Sequence, residues 1–414
     1  MKKQQYYFYI LFIISLTVVS GCSSSSRFTS NNDSEPGRNI SEGNYIRVLL
    51  ENPTNYFTWT VEEPVIVSVD GITKAIVNSG NNLRFGSEGN ETEVSINRRN
   101  FSGKEIRISS KDNKNSIEFK GKVYRGSIKI KTNNGQLVFV NSLSLEDYLK
   151  GVLPLEMPAG KGNENFEALK AFAICARTYS INKMDENKLS FDVYLDTRDQ
   201  VYGGLNSEKE ITNKAVNATM GEILTFKGKP AVTFYSASCG GHTENIKNVF
   251  NTAGDLPYLS GVKDGDEPYC SITPRFNWEE TYSENQFINR LINSGLISGS
   301  DFNIENIEVA SRFESGRVNE LRITLSSDGD EKEVSIFGNN IRSVIRTSDN
   351  KGILRSTMFY ISYEDDTVTI TGKGYGHGVG LCQWGCIDLS HEGWNYKSIL
   401  NHYFPGTEIE RIKK

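Results

Sequence analysis

The chain reads as an α+β protein, with a β-rich part beside a mixed part. Three observations carry that reading. Residues 45–140 are short alternating runs broken by Gly and Asn, as in "VEEPVIVSVDG", "EIRISS" and "LVFVNS". Residues 163–184, "NENFEALKAFAICARTYSINKM", have Phe166, Leu169, Ala173 and Ala176 at helical spacing, with Glu164 and Glu167 suiting the N-terminal end of the helix macrodipole. Strands and helices then alternate irregularly to the end, and no repeat of solenoid period occurs.

The elements follow in order. Tyr45–Glu51, "YIRVLLE", opens the β region. Glu146 and Asp147 mark a helix start, and a second helix is expected at 207–219. "PAVTFYSAS" reads as a strand running into the Gly240-Gly241 turn. "SENQFINRLINSG" reads as a helix, "RVNELRITLSS" and "KEVSIFG" as strands, and "NNIRSVIRT" as a short helix. Residues 366–393 read as strand, Gly-rich loop and helix.

Lys2 and Lys3, the apolar run Tyr6–Val19 and the sequence Val19-Ser20-Gly21-Cys22 read as a secretory signal peptide. The small residues before Cys22 match a lipobox, so residues 1–21 are expected to be removed and Cys22 lipidated. The alternative is an ordinary signal peptide with a chance cysteine. Residues 22–43 are Ser/Asn/Gly-rich and read as a flexible tether. The chain is therefore expected to be exported and held on a membrane facing the cell wall. A formal net charge of −5 and the absence of a basic run argue against a nucleic-acid partner.

"LPLEMPAG", residues 153–160, places the carboxyl of Glu156 between Leu155 and Met157, with Pro154 and Pro158 outside them. Such a setting would desolvate the carboxyl and raise its pKa toward that of a general acid. A capping or salt-bridged glutamate is the structural alternative. Lys170 and Arg177 are seven residues apart and share a helix face, either toward a substrate carboxylate or acetamido group or toward solvent. Cys239, His242 and Cys270 are conceivable zinc ligands, and a Cys–His nucleophile pair is conceivable too. Five glycines between 372 and 380 suggest a loop packed on another backbone with His377 projecting. There is no Walker lysine and no βαβ unit there.

Taken in order, "VNSLSLEDYLKGVLPLEMPAG…NFEALKAFAICARTYS", "FDVYLDTRDQVYGG", "TFYSASCGGHTEN", "SGRV", "ILRSTMFYI" and "GKGYGHGVGLCQWG" resemble the stage II sporulation protein D / LytB (SpoIID/LytB) family. The resemblance runs from about Tyr45 to Phe404. It implies a peptidoglycan lytic transglycosylase that cuts MurNAc-β-1,4-GlcNAc bonds, leaves 1,6-anhydro ends and prefers peptide-stripped glycan. It implies Glu156 as the catalytic acid/base, with Lys170, Arg177, Tyr202, Tyr235, Ser238, His377 and Gln383 lining a glycan groove between a β-rich region, 44–140, and a catalytic region, 141–414. No cofactor and no metal are implied: Thr197, Arg198 and Asp199 stand where zinc-binding members carry Cys and His. The link after Glu156, "AGKGNEN", is longer than the family's. A non-catalytic cell-wall protein that stimulates an amidase is the alternative.

Overall fold

The computed structural model describes residues 45–112, 115–186, 190–250, 256–299, 301–327 and 329–412. The expected signal segment, Cys22 and the tether lie outside them. None of the described helices is long and apolar enough to cross a membrane.

The β-rich part is built on a seven-stranded sheet in the order Val193–Tyr194, Tyr45–Thr54, Gln136–Ser144, Ser127–Asn133, Ile106–Ser110, Val65–Val69, Ile72–Val77. Every neighbour pair is antiparallel except Val193–Tyr194 on Tyr45–Thr54. A four-stranded antiparallel sheet, Tyr56–Thr60, Asn82–Glu88, Glu91–Ile96 and Arg99–Gly103, lies with it. Leu83, Phe85, Val94 and Ile96 of this smaller sheet join Ile106, Ile108, Ile128, Ile130 and Phe139 of the larger one in one core. Alternation along Asn82–Glu88 and Glu91–Ile96 sends one face inward, whereas Gln136–Ser144 is buried on both faces, with Val138 and Val140 packed on Leu49 on the far side.

The strand Gln136–Ser144 feeds directly into helix α1, Leu145–Glu156. Ser144 caps it by accepting a hydrogen bond from the Asp147 backbone N–H at 3.1 Å, and Glu146 and Asp147 sit in its first turn. Pro154 lies inside its last turn, so Glu156 is the final residue of a helix rather than part of an isolated turn.

Helix α2, Phe166–Glu186, is the axis of the mixed part and packs on α1, on α3 (Glu210–Ala218) and on two C-terminal helices introduced below. Ala168, Leu169, Ala171, Phe172, Ala173, Ile174, Cys175 and Ala176 are all buried, so no single polar stripe survives on its middle turns. A helix buried on all sides needs small residues where neighbours approach, and its alanines supply them.

Residues 277–370 form a second core around Trp278, Tyr282, Phe287, Leu321, Ile323, Phe359 and Ile370. Two three-stranded antiparallel sheets enclose it: Asn277–Ser283, Thr367–Lys373, Phe359–Glu364, and Asn303–Arg312, Val318–Ser327, Asp330–Phe337. Helices α4, Glu284–Asn293, and α5, Asn340–Ile345, cover it. A complete capping box at Ser283 and Gln286 starts α4. The chain then returns to the first core through α6, Gln383–His391, and α7, Tyr396–Tyr403, both of which contact α2. The strand expected over "PAVTFYSAS" is reduced to short pairings at Lys229–Pro230 and Tyr235–Ser236. Its carbonyls and N–H groups go instead to loops, as in the mutual bonds of Ser238 and Tyr375 at 3.1 and 2.8 Å.

Candidate active site

Glu156 is half-buried at the C-terminal end of α1. Its Oε1 accepts a hydrogen bond from the Val201 backbone N–H at 2.6 Å. Burial pushes its carboxyl pKa above the ordinary range, while the Val201 N–H, Gln383 and Tyr235 pull the other way by favouring the charged form. No cation is among the groups that shift it. A carboxyl in that condition keeps its proton to higher pH than a solvated one, and is not locked in an ion pair.

The groups around it are polar and close. The Tyr235 hydroxyl and the Gln383 side-chain N–H₂ face the Glu156 carboxyl and favour its charged form. Gln200 stands next to Tyr235, toward whose hydroxyl its side chain is directed, and its Oε1 accepts from Ser180 Oγ at 2.9 Å and Tyr148 Oη at 3.3 Å. Amide and hydroxyl groups gathered beside an acid can also donate to the oxygens of a polar ligand.

Several elements hold this cluster. Tyr235 packs its ring edge-on against Phe172 of α2, with centroids 4.8 Å apart. The parallel pairing of Tyr235–Ser236 with Leu381–Cys382 delivers Gln383 at the start of α6. Gly374 meets the backbone of Ser238 and Gly240 so closely that a side chain there would overlap both. The expectation that the Gly-rich loop packs on another backbone therefore matches the geometry.

The other expected groove residues are distributed differently. Arg177 is fully buried on α2 and makes a two-pronged ion pair with Glu146, at 2.9 and 2.8 Å, and bonds the carbonyls of Glu222 and Val216. It holds α1, α2 and the 216–222 segment together and reaches no surface. Tyr202 is also core: its hydroxyl donates to Asn141 Oδ1 at 2.9 Å, and its ring lies on Tyr124 and Tyr148. Lys170 binds Glu167 at 2.5 Å and lies over the Tyr396 ring, 4.6 Å from its centroid. His377 does not project. Its ring lies edge-on to Phe234 and Phe250, and its Nδ1 accepts from the Val379 N–H at 3.0 Å. Burial, with Arg342 and Arg317 nearby, lowers its pKa to about 3, so it is neutral. Ser238 is buried, with its hydroxyl facing the Cys270 side chain.

Sequence reasoning missed Gln200. The available signal was its place in "DQVYGG", one residue before the N–H that holds Glu156. It also paired the wrong groups around Cys239. His242 turns away, with Nδ1 2.6 Å from the Thr243 carbonyl, while Cys239 meets Cys270, Cys382 and Asp264.

Residues 133–226 match the family described as Stage II sporulation protein, and residues 263–380 match a domain of unknown function, DUF8618. An uncharacterized protein of Brachyspira hyodysenteriae is 34% identical, over 88% of this chain and 93% of its own length. The Amidase enhancer of Bacillus subtilis is 30% identical over 63% of this chain, which spans only 40% of that relative. Stage II sporulation protein D of Bacillus amyloliquefaciens is 30% identical, over 65% of this chain and 75% of its own length.

Proposed function

Since the chain belongs to the stage II sporulation protein D family, we propose that it cuts the glycan strands of peptidoglycan as a lytic transglycosylase, with Glu156 as its single acid and base. The observation that carries this reading is a carboxyl whose pKa is raised by burial and shifted by no cation, faced by the polar side chains of Tyr235 and Gln383, with Gln200 beside Tyr235. Protonated Glu156 donates its proton to the glycosidic oxygen as the C1–O bond of the muramic residue breaks. The 6-hydroxyl of the same residue then bonds to C1, and the Glu156 carboxylate takes the hydroxyl proton. No water is consumed, so no second carboxylate is required, unlike hydrolytic glycosidases. The amide and hydroxyl groups around Glu156 would hold the sugar's oxygens in an attack-ready pose. Export and a lipid anchor at Cys22 would put the site against the wall.

Incubation with peptide-free glycan strands, followed by mass spectrometry, should yield 1,6-anhydro-muramic ends with the wild type and none with Glu156→Gln. Intact strands with the wild type would refute the reading. The likeness to a protein named Amidase enhancer supports a second reading, a wall-binding partner that stimulates an amidase without cutting glycan. On that reading Glu156→Gln would stimulate the amidase as well as the wild type does.

A further inference from the structure

We propose that Cys239, Cys270, Cys382 and Asp264 form a closed four-ligand site for one zinc ion, which ties together the segments that floor the Glu156 site. One donor atom from each lies within 4.8 Å of all the others, and all four residues are buried. The Cys239 and Cys270 sulfurs are 3.6 Å apart. A tetrahedral zinc with bonds of about 2.3 Å to sulfur needs neighbouring sulfurs about 3.8 Å apart, so that pair lies close to the required edge. Thiolate with carboxylate suits zinc, and four protein ligands with no open position make the site structural rather than catalytic.

The surroundings are those of an anionic centre. Arg317 is 1% exposed. Its Nη2 donates to the Cys239 carbonyl at 2.5 Å, and its Nε and Nη1 have no partner. The guanidinium lies within electrostatic reach of the three sulfurs, and also of Glu244. Three thiolates and a carboxylate around a divalent ion leave a net charge of about −2, and a buried guanidinium offsets half of it. The ligands are themselves held. The Cys239 N–H donates to Cys382 Sγ at 3.2 Å, the Cys270 N–H to Asp264 Oδ2 at 3.1 Å, and the Tyr403 hydroxyl to Asp264 Oδ1 at 2.6 Å. Outer contacts of this kind orient metal ligands. Two glycines make the room: a methyl on Gly385 would overlap the Tyr403 hydroxyl, and one on Gly378 would overlap the Arg317 guanidinium.

The site differs from the Cys239/His242/Cys270 set that spacing suggests, because His242 is turned to Thr243. Its function follows from chain position. Cys239 follows Ser238, and Cys382 immediately precedes Gln383. A metal here joins the 235–241 segment, the 264–270 loop and the start of α6. Binding releases the thiol protons as the sulfurs become thiolates.

The test uses the full-length protein, expressed with zinc and purified under reducing conditions without substrate. Elemental analysis should find about one zinc per chain, a closed structural site being filled by a single ion. Cobalt substitution should give sulfur-to-cobalt charge-transfer bands of a tetrahedral site. Cys382→Ser and Cys270→Ser should lose the metal, and Cys175→Ala, on α2, should keep it. Two results would overturn the proposal: wild type that stays metal-free and without cobalt bands after reconstitution with its thiols free, or a Cys239–Cys270 disulfide in peptide maps of freshly purified protein. Neither readout involves glycan cleavage, so failure here is distinct from failure of the transglycosylase reading.

Discussion

Replacing Arg177 by Lys separates a structural role from a substrate-binding one. The native guanidinium donates two hydrogen bonds to Glu146 and one each to the carbonyls of Glu222 and Val216, with no solvent exposure. An ammonium cannot match the planar fork, so we expect it to lose at least one charged bond to Glu146 and one carbonyl contact. Hydrogen bonds to charged groups are worth about 1.5–3 kcal/mol each, and breaking a buried pair costs about 3–5 kcal/mol. Glu146 keeps some solvent access, and its Oε1 retains the Gly221 N–H at 3.1 Å, which moderates the loss. The expected destabilisation is about 3 kcal/mol. For a cooperative unit of 150–250 residues that lowers Tm by roughly 6–12 °C. Calorimetry measures the shift, and glycan cleavage assayed well below the lowered Tm should stay near wild type. An unchanged Tm with lost cleavage would refute the reasoning and return Arg177 to the substrate.

The pH dependence of cleavage should follow Glu156. Its raised pKa means that the native state holds the proton above the ordinary carboxyl range, so the stability this gives is present at low pH and lost as pH rises through the folded value. Cleavage should fall over the same rise, with a midpoint above 4.5, and a pH–rate profile flat through that region would contradict the assignment. Tyr235→Phe removes a hydroxyl that faces Glu156 and Gln200, so stability should fall by only about 1 kcal/mol. Turnover should fall by about tenfold or more, and wild-type turnover would remove Tyr235 from the site. Gly385→Ala inserts a methyl against Tyr403 and Asp264 and should cost about 1–3 kcal/mol by thermal unfolding; an unchanged Tm would mean that the two elements separate freely.

The β-rich start, the long helix and the later strands were legible because each rests on short-range periodicity. Ile128–Lys131 alternates on the pleat, and Glu146 and Asp147 announce the start of α1. The "PAVTFYSAS" strand was misjudged because its β-branched composition reports burial, and here burial comes from α2 and the Gly-rich loop rather than from a sheet. Arg177 was misjudged for a related reason. A charge on a helix faces solvent unless another charge is buried with it, and its partner lies 31 residues earlier.

The amino-acid order by itself determined the class of fold and singled out Glu156, because local pattern and the apolar flanks of an acid are written along the chain. Only the tertiary structure decided that Tyr235 and Gln383 meet that acid with Gln200 beside Tyr235, and that Cys382 and Asp264, not His242, complete the thiol cluster. Cys239 and Cys382 are 143 residues apart, and their contact exists only once the segments that carry them pack into one core. Side-chain direction at such a junction is set by packing from several elements at once, which no local spacing encodes.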